Sequence, residues 1–485
     1  GPFLPREKDN WDTRVVFNSD RYHNPEVWYD NQGQEIHPGM SYFVGGNTKV
    51  YGAALFRLLE RDFEAYQHKD GVSPEWPLKY ADFEPYYTEA EKLYQVHGQS
   101  GLDPNEPPRS HEYFYPAVSH EPRIQEVHDD LRKQNLNPYY TPVGIHLNEA
   151  QRFLSECIRC DTCDGYPCLV HAKSDAEVTG IRPAMNYENV TLLTEAKVLK
   201  LHTNPSGQEI SQVEVEINGE TQFFSGDIVA VCCGAVNSSV LLLKSANDQH
   251  PNGLANRSDL VGRHLMKHVL GSVIGVTSKP NPTLFQKTLS INDFYWGEEG
   301  YDYPMGQVQT LGKVNAKALE GNPEAYAPLS VEYVASHSVD WWLTTEDLPD
   351  RANRVRVNGD NIIIDYTENN SEPYERLEQR WIEILKSIDC ASQVVPHCDY
   401  FVKGGQQKYF TGKLPLDGLG HQVGTCRFGT DPQTSVLDLN CQTHDIANLY
   451  VVDGSFFWSS GAVNPTLTIM ANALRVGEHL LDRLG

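Results

Sequence analysis

The chain has 485 residues, of which 40% are hydrophobic and 22% are charged, as is ordinary for a globular protein with a large core. This length predicts two or three intertwined domains rather than one. The formal net charge of −25 excludes polyanionic partners, because nucleic acid and anionic membrane surfaces would both repel the chain.

The first part of the chain is predicted to be irregular up to residue 45. The pair Gly45-Gly46 would let the backbone approach a ligand closely, and Asn47 and Thr48 could cap a short helix after it. An ordinary glycine turn explains the same residues equally well. Amphipathic patterns predict helices over 80–96 and 121–136.

Four of the ten cysteines are clustered as Cys157-x2-Cys160-x2-Cys163-x4-Cys168. Four thiolates at this spacing could bind zinc or an iron–sulfur cluster, and free thiols or a disulfide are the other interpretations. The cysteine content is too low for a disulfide scaffold, which favours a reducing compartment and predicts a cytoplasmic protein. We assign no metal site.

The middle of the chain changes to β-type patterns from residue 187. Residues 227–233 form a nearly continuous apolar run that ends at Gly234, and a helix is predicted over 237–246. A buried strand, a glycine and then a helix are typical of a doubly wound, parallel nucleotide-binding sheet. Further strands are predicted at 190–193, 196–201, 213–217, 330–335, 362–366 and 449–454.

Two more helices are predicted near the C-terminal end, over 374–392 and 465–484. The pair Trp341-Trp342 could form a stacking platform for a sugar or belong to the core. His264 and His268 are four residues apart but have no acidic neighbour, which disfavours a metal site. The most apolar long stretch, residues 260–277, contains charged side chains, so we expect no membrane span.

The C-terminal block resembles the glucose–methanol–choline (GMC) oxidoreductase family. The motifs that carry the resemblance are His421–Gly429, Asn448–Ser455 and Asn464–Thr468, and those that agree with it are Gly45–Thr48, Gly234–Leu242 and the Gly-x-x-Leu/Met loop at Leu260–Met266. The cysteine-rich loop and Glu346–Pro349 resemble segments of the bacterial branch of the family that includes pyranose oxidases and C-glycoside oxidases.

The resemblance implies an α/β (α+β) fold with an FAD-binding, doubly wound parallel sheet and a substrate domain built on a mostly antiparallel sheet plus helices. Residues 1–60, 151–270 and 411–485 would form the FAD-binding domain, and residues 61–150 and 271–410 the substrate domain. The family's opening strand, Gly-x-Gly-x-x-Gly turn and helix do not occur in this sequence. We therefore expect a sheet that lacks its first βαβ unit.

The resemblance also assigns roles to individual residues. His421 is the expected catalytic base, and Asn464 is expected to hydrogen-bond the substrate oxygen and to cap the helix that begins at Pro465. Val50 stands near where pyranose oxidases carry a flavin-linking histidine, so non-covalent FAD is expected. The expected FAD contacts are Gly45, Gly46, Asn47, Thr48, Val198, Gly234, Asp453, Gly454, Pro465 and Thr466.

The implied function is oxidation of a CH–OH group of a sugar, glycoside or other alcohol. His421 would take the hydroxyl proton, flavin N5 would take the hydride, and oxygen or a quinone would be the electron acceptor. Two alternatives stay open at this point: a metal or iron–sulfur redox protein built on the cysteine cluster, and a catalytically inactive fragment. An oligomer is possible.

Overall fold

The computed structural model describes residues 4, 7–18, 26–320, 323–326, 329–389, 409–414, 416 and 420–485. The α-helices of these residues are α1 (Thr13–Asn18), α2 (Tyr80–Leu93), α3 (Pro122–Lys133), α4 (Arg182–Ala184), α5 (Ala235–Lys244), α6 (Ala316–Leu319), α7 (Val331–His337), α8 (Ser371–Asp389) and α9 (Thr466–Leu484). The strands are β1 (Trp28–Asp30), β2 (Glu35–Ile36), β3 (Tyr66–Gln67), β4 (Val72–Ser73), β5 (Val96–Gly98), β6 (Tyr115–Pro116), β7 (Tyr139–Tyr140), β8 (Val143–Gly144), β9 (Ala196–Thr203), β10 (Ile210–Ile217), β11 (Glu220–Phe224), β12 (Val229–Val231), β13 (Val269–Val276), β14 (Leu289–Ile291), β15 (Gln307–Thr310), β16 (Ser338–Thr345), β17 (Arg354–Asn358), β18 (Asn361–Asp365), β19 (Tyr409–Lys413) and β20 (Leu449–Val451).

The apolar run at 227–233 contains a parallel strand, as predicted. Strand β12 pairs in parallel with β20, with Val229 opposite Leu449 and Val231 opposite Val451. Helix α5 follows β12 directly and begins at Ala235. The carboxyl ends of both strands therefore meet at one edge, which is where nucleotide ligands bind in parallel sheets.

The second large sheet has six strands in the order β19-β13-β16-β15-β14-β7, and every neighbouring pair is antiparallel. Helices α3 and α8 share a hydrophobic core with this sheet, because their apolar residues recur at helical spacing. In that core, the rings of Trp341 and Trp381 meet edge to face with centroids 4.7 Å apart. Trp341 is thus a core residue rather than a sugar platform. The antiparallel sheet with helices confirms the prediction.

Two predicted strands are wrong. Residues 330–335 begin helix α7 instead, and the hydroxyl of Ser330 caps it by accepting a hydrogen bond from the backbone N–H of Tyr333. This cap and an acidic residue in the first turn favour a helix over the local β-propensity. Residues 190–193 have no regular structure, and Leu193 is 49% exposed. An apolar run without a packing partner does not become a strand.

Helix α2 packs against α9 and joins the segment around residue 85 to the C-terminal helix. The hydroxyl oxygens of Tyr87 and Thr468 are 2.7 Å apart, next to the large hydrophobic core that both helices share. Helix α8 ends at Asp389, and the predicted residues 390–392 lie outside the described ranges. Within those ranges, no helix combines the length and the apolar character that a membrane crossing requires.

Candidate active site

The two side chains predicted to be catalytic lie side by side. Asn464 immediately precedes the N-terminal end of α9, and His421 lies on a loop that packs against the strand end after β20. The amide nitrogen Nδ2 of Asn464 is 3.5 Å from Nε2 of His421, and both side chains are half-buried. A small molecule could therefore contact the imidazole and the amide at once.

The loop of His421 is held by the loop that contains His268. Met266 and Val423 exchange two backbone hydrogen bonds of 3.0 and 2.9 Å. Gly424 adopts a φ of +92°, and a Cβ there would lie 2.5 Å from the Met266 side chain and 2.6 Å from the carbonyl oxygen of His264. Only glycine fits this approach without displacing the loop.

His268 is the nearest charged or titratable partner of His421. Their Nδ1 atoms are 3.2 Å apart, and Nε2 of His268 donates to the carbonyl oxygen of Ser460 at 3.0 Å. Burial lowers the pKa of His268 to about 4. The hydrogen bond to the Ser460 carbonyl acts to raise this pKa but does not offset the effect of burial. His268 is therefore neutral at pH 7.

His421 is also kept neutral. Burial, followed by the neighbouring His268 and Lys287, lowers the pKa of His421 well below its usual range. Lys287 is itself buried and forms an ion pair of 2.7 Å with Asp164. A neutral imidazole can accept a proton, so the environment suits a base at neutral pH.

A chain of amide groups holds Asn464 from the other side. Gln309 donates through Nε2 to the Oδ1 atom of Asn464 at 2.8 Å and to Oε1 of Gln307 at 3.2 Å. Gln307 donates to Oδ1 of Asn292 at 3.1 Å, and Asn292 donates to a carboxylate oxygen of Asp103 at 2.6 Å. These hydrogen bonds fix the orientation of the Asn464 amide, so that Nδ2 rather than Oδ1 points to His421.

The glycine motif at Gly45–Thr48 forms a left-handed turn before a short 3-10 helix, Gly46–Lys49. Gly45 has a φ of +100°, and a Cβ there would lie 2.8 Å from Cδ of Lys49. Asn47 accepts a hydrogen bond from the backbone of Ser41, and Thr48 donates to the carbonyl of Gly45. The prediction that Asn47 or Thr48 caps this helix is wrong, because Gly45 holds the N-cap position.

Several predicted FAD-contacting segments converge around Met40. Its sulfur accepts from the side chains of Asn47 at 3.6 Å and Gln422 at 3.8 Å. A Cβ at Gly234 would lie 3.9 Å from the Met40 methyl, and a Cβ at Gly420 would lie 3.5 Å from Nδ2 of Asn47. The glycine motif, the turn before α5 and the His421 loop therefore border one region.

Asp453 connects the ends of the two parallel strands. Its carboxylate accepts hydrogen bonds from the backbone N–H groups of Gly234 at 3.0 Å and Ser455 at 2.9 Å. Gly454 packs against the His421 loop, since a Cβ there would lie 3.0 Å from the carbonyl oxygen of Gln422. Asp453 and Gly454 thus hold the backbone in place at the carboxyl ends of β12 and β20.

The remaining predictions concern the cap of helix α9 and the position of Val198. Helix α9 begins at Thr466 with Pro465 at its N-cap, and no side chain caps it. The predicted cap by Asn464 is therefore wrong, because its amide contacts His421 and Gln309 instead. Val198 lies on β9, where it pairs with Val215 and is 37% exposed, and its predicted contact with FAD stays a prediction.

The strand edge has the features that a dinucleotide cofactor needs. The N-termini of α5 and α9 both carry backbone N–H groups without a side-chain cap, and such groups attract phosphate or an anionic ring edge. Gly234 has a φ of +83°, a left-handed conformation that favours glycine at the turn before α5. These residues fit FAD, and the backbone of Gly234, Pro465 and Thr466 would offer it hydrogen-bond donors and close approach.

The cysteine cluster gives the alternative function no support. Cys157, Cys160, Cys163 and Cys168 are unbridged, and burial raises the pKa of Cys157 to about 11. In the described part of the chain, no group of three or more side chains is arranged to hold a metal ion. Cys157 instead belongs to a small hydrophobic core, and Cys163 and Cys168 pack against it.

No sequence motif indicated that His268, Ser460 and Gln309 are parts of the site. The signal for Gln309 is the alternation of Gln307 and Gln309 in β15, which places two amides on one buried face. In the sequence, His268 stands out only because His264 lies four residues before it. Its contact with His421 depends on the pairing of two loops that lie far apart in sequence.

Comparison with known proteins gives a consistent result. Two family models, both described as GMC oxidoreductase, match residues 30–270 and 403–473. The chain is 28% identical to 6'''-hydroxyparomomycin C oxidase of Streptomyces lividus over 94% of this chain and 81% of that protein. It is also 28% identical to paromamine 6'-oxidase of Streptomyces fradiae, over 92% and 80%. For 2-methyl-1,2-propanediol dehydrogenase of Mycolicibacterium austroafricanum the identity is 27%, over 91% and 81%.

The fold is similar to that of pyridoxine 4-oxidase from Mesorbium loti, a solved structure, with a TM-score of 0.64 at 17% sequence identity. The similarity covers 98% of this chain and 92% of that one. The two matching family models together span well over half of the sequence. The chain therefore belongs to the GMC oxidoreductase family, whose members are flavin-dependent enzymes that oxidise alcohol and sugar CH–OH groups.

Proposed function

We propose that the protein oxidises a CH–OH group of a sugar or glycoside with non-covalently bound FAD, and that His421 is the base. The observation that carries this proposal is the contact between His421 and Asn464 beside the uncapped N-terminus of α9. A base and a hydrogen-bond donor that converge on one point can bind the same hydroxyl oxygen.

The roles of the two residues follow from their atoms. Nε2 of His421 takes the proton of the substrate hydroxyl, and Nδ2 of Asn464 donates to the oxygen on which negative charge develops. Bound FAD would supply the acceptor for the hydride that leaves the carbinol carbon, and the alcohol would become a carbonyl compound. Because His421 is neutral, it can take the proton without first losing one.

The lining of the site supports a polyhydroxylated substrate. Oε1 of Gln309 is buried next to Asn464 and has no hydrogen-bond partner among the described residues. A second hydroxyl of a sugar could donate to this acceptor, which a simple alcohol leaves unsatisfied. Two relatives over nearly the whole chain are named as oxidases of paromamine and hydroxyparomomycin. An aminoglycoside-type sugar is therefore the first substrate class to test.

The test is reduction of the FAD-loaded protein by candidate sugars and alcohols without oxygen. A substrate should bleach the flavin absorbance, and oxygen or a quinone added afterwards should restore it and identify the electron acceptor. The variant His421→Ala should reduce the bleaching rate by about 10²–10⁴-fold, since general base catalysis is typically worth that much. Equal flavin absorbance before substrate addition is the control for FAD binding. A variant as fast as the unaltered protein would remove His421 from the role of base.

A further inference from the structure

The catalytic pair lies in the middle of a hydrogen-bonded chain whose two ends have a fixed direction. One end is the backbone carbonyl of Ser460, which can only accept a hydrogen bond. The other end is the carboxylate of Asp103. Burial raises the pKa of Asp103 to about 6, so this group is ionised at pH 7 and also accepts. Each end therefore dictates where the hydrogens lie along its half of the chain.

The Ser460 end determines the protonation of both histidines. Because the Ser460 carbonyl accepts, Nε2 of His268 carries a hydrogen. His268 is neutral at pH 7, so its Nδ1 atom has a lone pair and no hydrogen. The facing Nδ1 atom of His421, 3.2 Å away, must then carry a hydrogen and donate it. In the neutral imidazole of His421, this leaves the lone pair on Nε2.

The Asp103 end determines the orientation of the amides. Asn292 must present Nδ2 to Asp103, so its Oδ1 accepts from Gln307. The Oε1 atom of Gln307 is then free to accept from Nε2 of Gln309, and the second hydrogen of that nitrogen goes to Oδ1 of Asn464. Asn464 is left with Nδ2 pointing at His421, as a donor.

The two halves agree at the point where they meet. The Ser460 end places a lone pair on Nε2 of His421, and the Asp103 end places a hydrogen-bond donor of Asn464 opposite it, 3.5 Å away. The other tautomer of His421 would set two lone pairs against each other at Nδ1 and two hydrogens against each other at Nε2. Both contacts would become repulsive.

We propose that His268 is a positioning residue, which holds His421 in the tautomer with hydrogen on Nδ1 and so keeps Nε2 available to take the substrate proton. The proposal rests on the proposed role of His421 as the base. After proton transfer, Nδ1–H of the imidazolium still donates to His268, so the contact keeps the ring in the same orientation before and after the transfer. In serine proteases, a catalytic histidine held in the wrong tautomer loses about 10⁴ in turnover, which sets the scale of the effect.

The direct test is ¹⁵N NMR of the FAD-loaded protein with labelled histidine, with the His421 signals assigned by comparison with His421→Ala. At pH 7 we expect a protonated Nδ1 and an unprotonated Nε2 for His421, and the reverse arrangement for His268. Hydrogen on Nε2 of His421 would overturn the proposal, even if the protein oxidises alcohols. Because this readout does not involve turnover, it also separates the tautomer from the enzymatic function.

Two substitutions of His268 separate its two hydrogen bonds. His268→Asn keeps an acceptor near the position of Nδ1, and His268→Gln keeps a donor to Ser460 but offers His421 no acceptor. The backbone of His268 has a φ of +65°, which asparagine tolerates well. We expect kcat to fall less than about tenfold in His268→Asn and about 10²–10³-fold in His268→Gln, with KM little changed.

The matched control is His97→Asn. His97 is also buried and also donates to a backbone carbonyl, that of Pro116, at 2.7 Å. Its substitution should leave kcat within about twofold. Equal losses in His268→Asn and His268→Gln, at equal FAD content, would show that His268 only fills space and would overturn the proposal.

Discussion

His421, the proposed base, can take a proton only while its imidazole is neutral, so its pKa would determine the acid limit of activity. That pKa lies well below the usual range because of burial and then the neighbouring His268 and Lys287. We therefore expect kcat/KM to rise with pH and to reach its plateau below pH 6.5, the ordinary histidine value. A pH profile of kcat/KM measures this limit directly. An acid limb centred at or above 6.5 would contradict the assignment.

The variant Lys287→Gln should move this limit in a known direction. Loss of the cation removes a repulsion that disfavours the His421 imidazolium, and Asp164 is left without its ion-pair partner. Both changes favour the charged imidazole, so the acid limb should shift to higher pH. Lys69→Gln, at an exposed ion pair with Glu372, is the control and should leave the profile unchanged.

Single residues of the site were predictable only where a motif carried them. His421 and Asn464 were found because their motifs resemble those of a known family. His268 and Gln309 could not be assigned in this way, because their roles arise from contacts across two loops and a β-strand. The predicted helix cap by Asn464 failed for a related reason, since the tertiary partners of its amide outcompete the local backbone.

At the scale of elements, the Gly45–Thr48 turn rests on a buried ion cluster. Lys49 is 2% exposed and its ammonium contacts Asp175 at 2.9 Å and Glu177 at 2.5 Å. The variant Lys49→Met would remove the cation that contacts Asp175 and would leave Glu177 with Arg182 alone. We expect the free energy of unfolding to fall by about 3–5 kcal/mol, as is usual when one partner of a buried ion pair is removed. Denaturant-induced unfolding provides the measurement.

Lys69→Met is the matched control for this change. Its ammonium pairs with Glu372 at the surface, and the side chain is 48% exposed. Exposed pairs contribute about 0–1 kcal/mol, so the unfolding midpoint should move little. Similar losses in the two variants would mean that the cluster under the glycine turn does not stabilise it.

The sequence predicted most helices and strands, but not which element forms where a helix cap and β-forming residues favour different structures. The apolar run of β12 and the amphipathic patterns of the long helices α8 and α9 predicted these elements. Helix α7 was misread as a strand because its β-forming residues follow a strong helix cap at Ser330. A pattern of a few residues does not show whether a helix cap or the β-propensity of the following residues determines the structure.

At the scale of the whole molecule, bound FAD should stabilise the fold. A cofactor that binds only the folded state raises the free energy of unfolding by about 2.7 kcal/mol at a concentration a hundred times its Kd. We expect FAD to raise Tm and, after acid precipitation, to appear in the supernatant, because non-covalent binding is proposed. Flavin that stays with the precipitated protein would contradict the non-covalent proposal.

The division into two domains stays a prediction. Residues 61–150 were predicted to belong to the substrate domain, and α2 within them packs on α9 of the predicted FAD-binding domain in one shared core. Limited proteolysis or separate expression would be needed to see whether either part folds alone. The closer relation to pyranose oxidases and C-glycoside oxidases also stays a prediction.

The hydrogen bond between Gly234 and Asp453 joins residues that are 219 positions apart. During synthesis, β12 and the start of α5 leave the ribosome long before their partner strand has been made. The proposed cofactor-binding edge is therefore incomplete until β20 has been made, and contacts of such long range form slowly. Flavin loading at this edge would have to follow the synthesis of β20, and growth conditions that slow synthesis or supply riboflavin should increase the yield of loaded protein rather than the total amount of chain.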